Sequence, residues 1–162
     1  DGLISKEDLQ RGDVGVNIPS GEVFLAPLEY SANGRIIFEK VAIPGFGKIR
    51  DLELEFRRGK VVSARAKQGV QKFKKFLQAN TGEKDRIAEF GIGTNPGARY
   101  TGGSIIIDEK IFGTVHIAIG NNRGAYHGRN KASSHLDMIK DMSDGAVYAD
   151  GEPIMEGGRP VS

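Results

Sequence analysis

The stretch LELEFRRGKVVSARA, residues 52–66, decides the fold class. It consists of two segments in which apolar residues alternate with other residues, joined by a basic turn that contains one glycine. By this alternation the apolar residues of each segment share one face: Leu52, Leu54 and Phe56 in the first, and Val62, Ala64 and Ala66 in the second. Two such segments around a short turn predict a β-hairpin.

Further short strands and one helix are expected on both sides of this hairpin. The strands cover residues 13–18, 21–27, 35–43, 86–92, 114–119, 136–139, 147–149 and 153–155. Apolar residues at helical spacing from Val70 to Leu77 predict an amphipathic helix that residues 80–82 end, and residues 104–110 predict a shorter one. The sequence therefore predicts an α+β, strand-rich single domain with a mixed sheet and one main amphipathic helix.

Composition excludes several classes of protein. The chain has 162 residues, a length that suits one domain of about 100–200 residues. Because it contains no cysteine, disulfide scaffolds, zinc–thiolate sites and cysteine nucleophiles are excluded. The 23 Lys and Arg nearly balance the 21 Asp and Glu, so we expect no nucleic-acid or membrane partner. With no long apolar run and no signal-peptide pattern at the start, we expect a cytoplasmic protein.

The three histidines differ in their sequence setting. His116 interrupts the apolar strand TVHIAI, where a buried imidazole is either a hydrogen-bonded core residue or a ligand. In a strand, residues two apart such as His135 and Asp137 point to one face, while Leu136 points to the core. His127 lies in a polar loop and is expected at the surface.

Two glutamates stand in apolar surroundings. Glu22 precedes Val-Phe in GEVFLAP, and Glu89 precedes a glycine-rich loop. Each is either an exposed residue of an alternating strand or a ligand. Together with the histidines and Asp137 they would give two nitrogen and three carboxylate ligands. Such a set suits two divalent cations, with Zn²⁺, Co²⁺ or Mn²⁺ as candidates, about 3.5–4 Å apart and bridged by one carboxylate.

Four blocks of sequence, in this order, resemble the catalytic domain of the thermophilic aminopeptidases (aminopeptidase T and S type, peptidase family M29): GEVFLAP, EFGIGTNP, DEKIFGTVHIAIG and SSHLDMI. The resemblance implies that residues 1–162 form a metallo-aminopeptidase catalytic domain. It implies five metal ligands: Glu22, Glu89, His116, His135 and Asp137. It also implies a peptide substrate, a metal-bridging water as nucleophile, a carboxylate (for which we take Glu89) as general base, and a homodimer.

The chain departs from this family in two respects. Family members are longer, and we expect that this chain lacks almost all of their N-terminal α/β domain. They also have a tyrosine, thought to assist catalysis, shortly after the histidine of the TVHIA block, where this chain has Arg123. Tyr126 lies three residues later. We expect either that Tyr126 substitutes or that Arg123 holds a substrate carboxylate or an oxyanion.

Two other functions stay open. The wider superfamily includes ring-cleaving dioxygenases, and His116, His135 and Asp137 would suit a single iron(II) held by two histidines and one carboxylate. Glu22 and Glu89 discriminate between the dioxygenase and the aminopeptidase, because a single iron needs neither glutamate whereas a metal pair needs both. The third alternative is a non-catalytic metal-binding module. The glycine-rich residues 91–103 match no nucleotide-binding loop, and no G-x-S-x-G elbow supports a serine hydrolase.

Overall fold

The computed structural model describes residues 4–12 and 14–161. In chain order the elements are helix α1 (Lys6–Arg11), strands β1 (Glu22–Leu25), β2 (Gly34–Ile43), β3 (Gly47–Arg57) and β4 (Lys60–Gln68), helix α2 (Val70–Ala79), strand β5 (Ile87–Gly93), helix α3 (Ile105–Asp108), strand β6 (Thr114–Gly120), a 3₁₀ turn (Gly124–Tyr126), and strands β7 (His135–Asp141), β8 (Ala146–Ala149), β9 (Glu152–Glu156) and β10 (Arg159–Pro160). The α+β, strand-rich class with one main helix is confirmed. No helix in the described part of the chain is long and apolar enough to cross a membrane.

The strands form three sheets, with the orders β1-β5-β6-β7, β2-β3-β4 and β10-β9-β8. Every pairing within these sheets of the described residues is antiparallel. The prediction of a mixed sheet is therefore wrong. Most paired strands follow one another in the chain through short connections, whereas a parallel neighbour needs a crossover of a dozen or more residues.

The predicted hairpin is present as β3 and β4, with one correction to its faces. The pairing register shifts between Glu55 and Phe56, so that Phe56 lies opposite Val61. This bulge brings Val61 to the core and leaves Val62 exposed, so Val62 does not share the buried face that the strict alternation predicts. Leu52, Leu54 and Phe56 are buried as predicted.

The main core lies between the β2-β3-β4 sheet, helix α2 and the inner side of the β1-β5-β6-β7 sheet. Phe73 and Phe76 of α2 are buried there, and Leu136 of β7 packs against the same cluster. Leu136 thus points to the core, as the alternation of the H-x-D segment predicts. Because one side of β7 is fixed by this packing, its other side is available for polar groups.

The N-terminal segment differs from the prediction of a strand over residues 13–18. Residues 14–17 form no regular element, and Val14, Val16 and Ile18 are exposed. Alternation stabilises a strand only where one face is buried, and the apolar side chains of this segment are exposed instead. Asp13 lies outside the described residues. Helix α1 was not predicted, although the Ser5-x-x-Asp8 spacing of its capping box is visible in the sequence.

Candidate metal centre

The four-stranded sheet brings the five predicted ligands together. Glu89, Ala118 and Asp137 lie in one row across β5, β6 and β7, because Ala118 pairs with Glu89 on one side and Asp137 on the other. His116 is two residues from Ala118 and therefore shares its face. Glu22 begins β1, the edge strand that pairs with β5. Glu22 and Glu89 are both buried, so the alternative of exposed alternating residues is wrong.

Glu89 lies between two imidazoles. Its Oε1 is 3.2 Å from Nε2 of His116, and its Oε2 is 3.0 Å from Nε2 of His135. Asp137 Oδ1 is 3.1 Å from the same His135 nitrogen. His135 Nδ1 lies 2.6 Å from the carbonyl of Asn121, which can only accept. Nδ1 therefore carries a proton, and Nε2 faces the two carboxylates as a ligand nitrogen would.

A second group adjoins the first and includes two residues that the sequence analysis did not select. Glu109 lies with Glu22 and His116, and Lys110 Nζ is 2.6 Å from Glu109 Oε1 and in contact with Glu22 Oε1. His116 Nε2 is 3.5 Å from Glu22 Oε2. The sequence signal for Glu109 and Lys110 is the acidic-basic dipeptide of the DEKI block, a pattern that is typical of a solvated surface.

Backbone contacts between residues far apart in the chain hold the Glu109-Lys110 dipeptide beside the sheet. The amide of Asn95, just after β5, donates to the carbonyl of Lys110 at 2.9 Å. Gly93 allows the close approach, since a Cβ there would lie 2.1 Å from the carbonyl oxygen of Ile111. The carboxylate of Glu109 thereby reaches the row of ligands from a loop outside the sheet.

The donor atoms fit divalent metal ions. Within each of two groups the candidate ligand atoms lie within 4.8 Å of one another: Glu22, Glu109 and His116 in one, and Glu89, His135 and Asp137 in the other. The atoms are imidazole nitrogens and carboxylate oxygens, the set that Zn²⁺, Co²⁺ and Mn²⁺ accept in proteins. Glu89 has one carboxylate oxygen at an imidazole of each group.

The carboxylates and imidazoles of the centre shift one another's pKa values. Burial raises the pKa of Glu89, but hydrogen bonds from His116 and His135 lower it more, to about 2. Burial lowers the pKa of His135, whereas its hydrogen bonds to Asp137 and Glu89 raise it, to about 10. Burial raises the pKa of Glu109 to about 7, helped by the nearby carboxylates and opposed by Lys110. In the metal-free chain, protons on the imidazoles therefore balance the carboxylates.

Tyr126 contacts the centre, whereas Arg123 is exposed and hydrogen-bonded within its own loop. The Tyr126 ring stacks on His135 with ring centroids 4.8 Å apart, and Phe24 and Tyr126 form a T-shaped pair. Burial, followed by the charge of Glu89, raises the pKa of Tyr126, so its hydroxyl stays protonated. Arg123 is exposed, and its Nε donates to the carbonyl of Arg129 at 3.3 Å. His127 is exposed, as predicted.

Two buried asparagines fix the loop that carries Tyr126. The pairing of β5 with β6 shifts register between Ile87 and Glu89, and the carbonyls of Ile87 and Ala88 there accept from side chains. Asn130 Nδ2 donates to the carbonyl of Ile87 at 2.7 Å, and Asn122 Nδ2 donates to that of Ala88 at 3.2 Å. Asn122 Oδ1 also accepts from the amide of Asn130 at 2.7 Å. Ile87 and Ala88, the two residues before Glu89, are thus hydrogen-bonded to both ends of the loop that carries Tyr126.

A small cavity of about 70 Å³ adjoins the centre beside β7. His135 and Asp137 form part of its wall, and Pro44 and Ile105 contribute apolar surface. It has the size to hold a few water molecules or a small aliphatic group, because each water needs about 10–15 Å³.

An antiparallel sheet that gathers buried carboxylates and imidazoles into two adjoining groups has the donor atoms of a candidate metal centre. The chain belongs to the thermophilic metalloprotease family M29, whose family model matches residues 4–159. The prediction of this family is confirmed. A comparison with curated protein sequences found no match.

Solved structures share this fold. The 2,5-dihydroxypyridine dioxygenase from Pseudomonas putida KT2440 matches 88% of this chain with a TM-score of 0.74 and 21% identity. Wild-type AmpT from Thermus thermophilus matches 89% with a TM-score of 0.68 and 24% identity. The chain spans only 44% of the first protein and 40% of the second. At these identities the matches establish the fold alone.

Proposed function

We propose that this chain is the catalytic domain of a metal-dependent aminopeptidase, which removes the N-terminal residue of peptides. The observation that carries the proposal is the position of Glu89, with one carboxylate oxygen at His116 and the other at His135. A carboxylate held in this way suits a bridge between two cations. Membership of a metalloprotease family supports the same reading.

Each cation would have its own set of ligands. Glu22, Glu109 and His116 would hold one, and Glu89, His135 and Asp137 the other, with Zn²⁺, Co²⁺ or Mn²⁺ as the candidate ions. When bound, such a pair lowers the pKa of a shared water and polarises the scissile carbonyl. The family resemblance implies a carboxylate as general base, and we expected Glu89 in that role. We favour the bridging role for it, because both its oxygens face imidazoles and hydrogen bonds lower its pKa to about 2.

Tyr126 is our candidate for the residue that assists the reaction. Its protonated hydroxyl is a hydrogen-bond donor, and its ring keeps the imidazole of His135 in place by stacking. Arg123, at the aligned position, is exposed on the same loop. From there it would reach only a group that extends beyond the centre, such as the carboxylate of a short peptide.

The test combines metal content with hydrolysis. We would load the protein with Zn²⁺, Co²⁺ or Mn²⁺, measure ions per chain, and assay amino-acid anilides. Asp137→Asn should lose one ion and at least a hundredfold of the hydrolysis. Asp141→Asn is the matched control, because Asp141 lies in the same strand, is exposed, and accepts a hydrogen bond from the amide of Ser143 in the adjoining loop. Equal metal content and activity in both variants would refute the proposal.

Two outcomes would favour the alternatives. A single iron(II) per chain with no effect of Glu22→Gln would indicate a dioxygenase, a possibility that the fold of the Pseudomonas enzyme raises. Against it, His116 groups with Glu22 and Glu109 rather than with His135 and Asp137. Two ions per chain without hydrolysis would indicate a non-catalytic metal-binding module. The homodimer expected from the family is part of the same proposal, and the mass of the loaded protein in solution tests it.

A further inference from the structure

Lys110 makes the two halves of the centre unequal. Its side chain is fully buried, and its Nζ contacts both Glu22 and Glu109. Those two residues supply both carboxylates of one ligand group. In the described part of the chain, the carboxylates of the other group, Glu89 and Asp137, form ion pairs with histidines only.

The charge count follows from these contacts. When the histidines are neutral and all four carboxylates are ionised, as metal binding requires, Glu89 and Asp137 give their group a charge of −2. Glu22 and Glu109 would also give −2, but the ammonium of Lys110 reduces it to −1. An incoming divalent cation is attracted less to the second group, and it also meets a like charge at contact distance.

Because Lys110 is buried, its charge stays beside Glu22 and Glu109 and continues to weaken their attraction for a cation. A lysine at the surface would swing into solvent when a metal ion arrived, whereas the side chain of Lys110 is enclosed on all sides. Lys110 also has a structural reason to be there, since two buried carboxylates without a cation would be strongly destabilising in the metal-free chain. It therefore acts as a resident counter-ion.

We propose that Lys110 sets the order in which the centre fills: the group of Glu89, His135 and Asp137 binds its ion first and tightly, and the group of Glu22, Glu109 and His116 binds the second ion more weakly. This inference rests on the proposed function, because it requires two ions per chain. Lys110 is a positioning residue here, acting on metal ions through the carboxylates that it holds.

The test is an equilibrium titration with Co²⁺ alone, followed by dialysis, elemental analysis and the visible absorbance of the bound ion. Wild-type protein should bind in two steps whose dissociation constants differ at least tenfold. Asp137→Asn should abolish the tight step, and Glu22→Gln the weak one. A tight step that survives Asp137→Asn but not Glu22→Gln would overturn the order.

Lys110→Met tests the cause. It removes the charge and keeps an unbranched apolar stem, and it should tighten the weak step at least tenfold while changing the tight step less than threefold. Lys60→Met is the matched control, because Lys60 is a half-exposed lysine whose ion pair is with Asp85, outside the centre. It should leave both steps unchanged. Unaltered steps in a folded Lys110→Met protein, checked by circular dichroism, would overturn the inference.

The order of filling stays testable if Lys110→Met does not fold, because Asp137→Asn and Glu22→Gln decide it in a chain that keeps the lysine. Two wild-type steps of equal affinity would overturn this inference and leave the proposed function standing. No uptake of metal by wild-type protein would overturn both.

Discussion

Gly91 offers a sharp test of the geometry of the centre, through Gly91→Ala. Gly91 pairs with His116 across β5 and β6, and a Cβ on Gly91 would lie 2.1 Å from His116 Nε2. Packed heavy atoms approach to about 3.5 Å, so the imidazole would have to retreat by about 1.4 Å. That movement breaks the 3.2 Å contact between His116 and Glu89. Gly91 has no left-handed backbone angle, so the effect comes from the overlap alone.

We expect two measurable effects of Gly91→Ala. Overpacking in a buried site costs about 1–3 kcal/mol, which thermal or denaturant unfolding of the metal-free protein would detect. Displacing His116 should also weaken metal binding by about 10–100-fold, measured by chelator competition. Gly15→Ala is the control, because a Cβ there meets no atom within 4 Å. If Gly91→Ala bound metal like the control, our placement of His116 would be wrong.

Three further predictions concern the surroundings of the ligands. Tyr126→Phe should keep metal affinity and lose part of the hydrolysis, whereas Tyr126→Ala should lose both, because only the second removes the stack on His135; parallel metal and anilide assays compare them. Burial lowers the pKa of His135, but Asp137 and Glu89 raise it to about 10, so that an ion displaces a proton at neutral pH. Metal affinity should then rise about tenfold per pH unit from about pH 6 to 8, and a flat profile by chelator competition would contradict this. Asn130→Ala should destabilise the fold by about 1–3 kcal/mol in denaturant unfolding, because the carbonyl of Ile87 loses its donor.

The parts of the fold that were predictable from sequence are those that local periodicity determines. Alternation located the β3–β4 hairpin, and the H-x-D spacing placed His135 and Asp137 on one face with Leu136 in the core. The same rule failed at Val62, where a bulge in the pairing reverses the faces. A bulge depends on the partner strand, so the alternation of one segment carries no signal of it.

The unpredicted part of the site depends on contacts between residues far apart in the chain. Glu109 and Lys110 adjoin in sequence and look like a solvated pair, but the approach of their loop to Gly93 buries both. Arg123 and Tyr126 illustrate the same point. Alignment to the family selects Arg123, whereas the asparagine contacts at both ends of the loop bring Tyr126 to His135.

Strand β1 has a consequence for how long a metal ion would stay. It has four residues, lies at the edge of its sheet, and supplies Glu22 from its first position. Among the described residues, the strand that pairs with β1 is β5. Short edge strands detach in local fluctuations that need far less free energy than global unfolding. The residence time of the ion at Glu22 would therefore follow the fraying of β1, and hydrogen exchange of the β1 amides would slow when that ion binds.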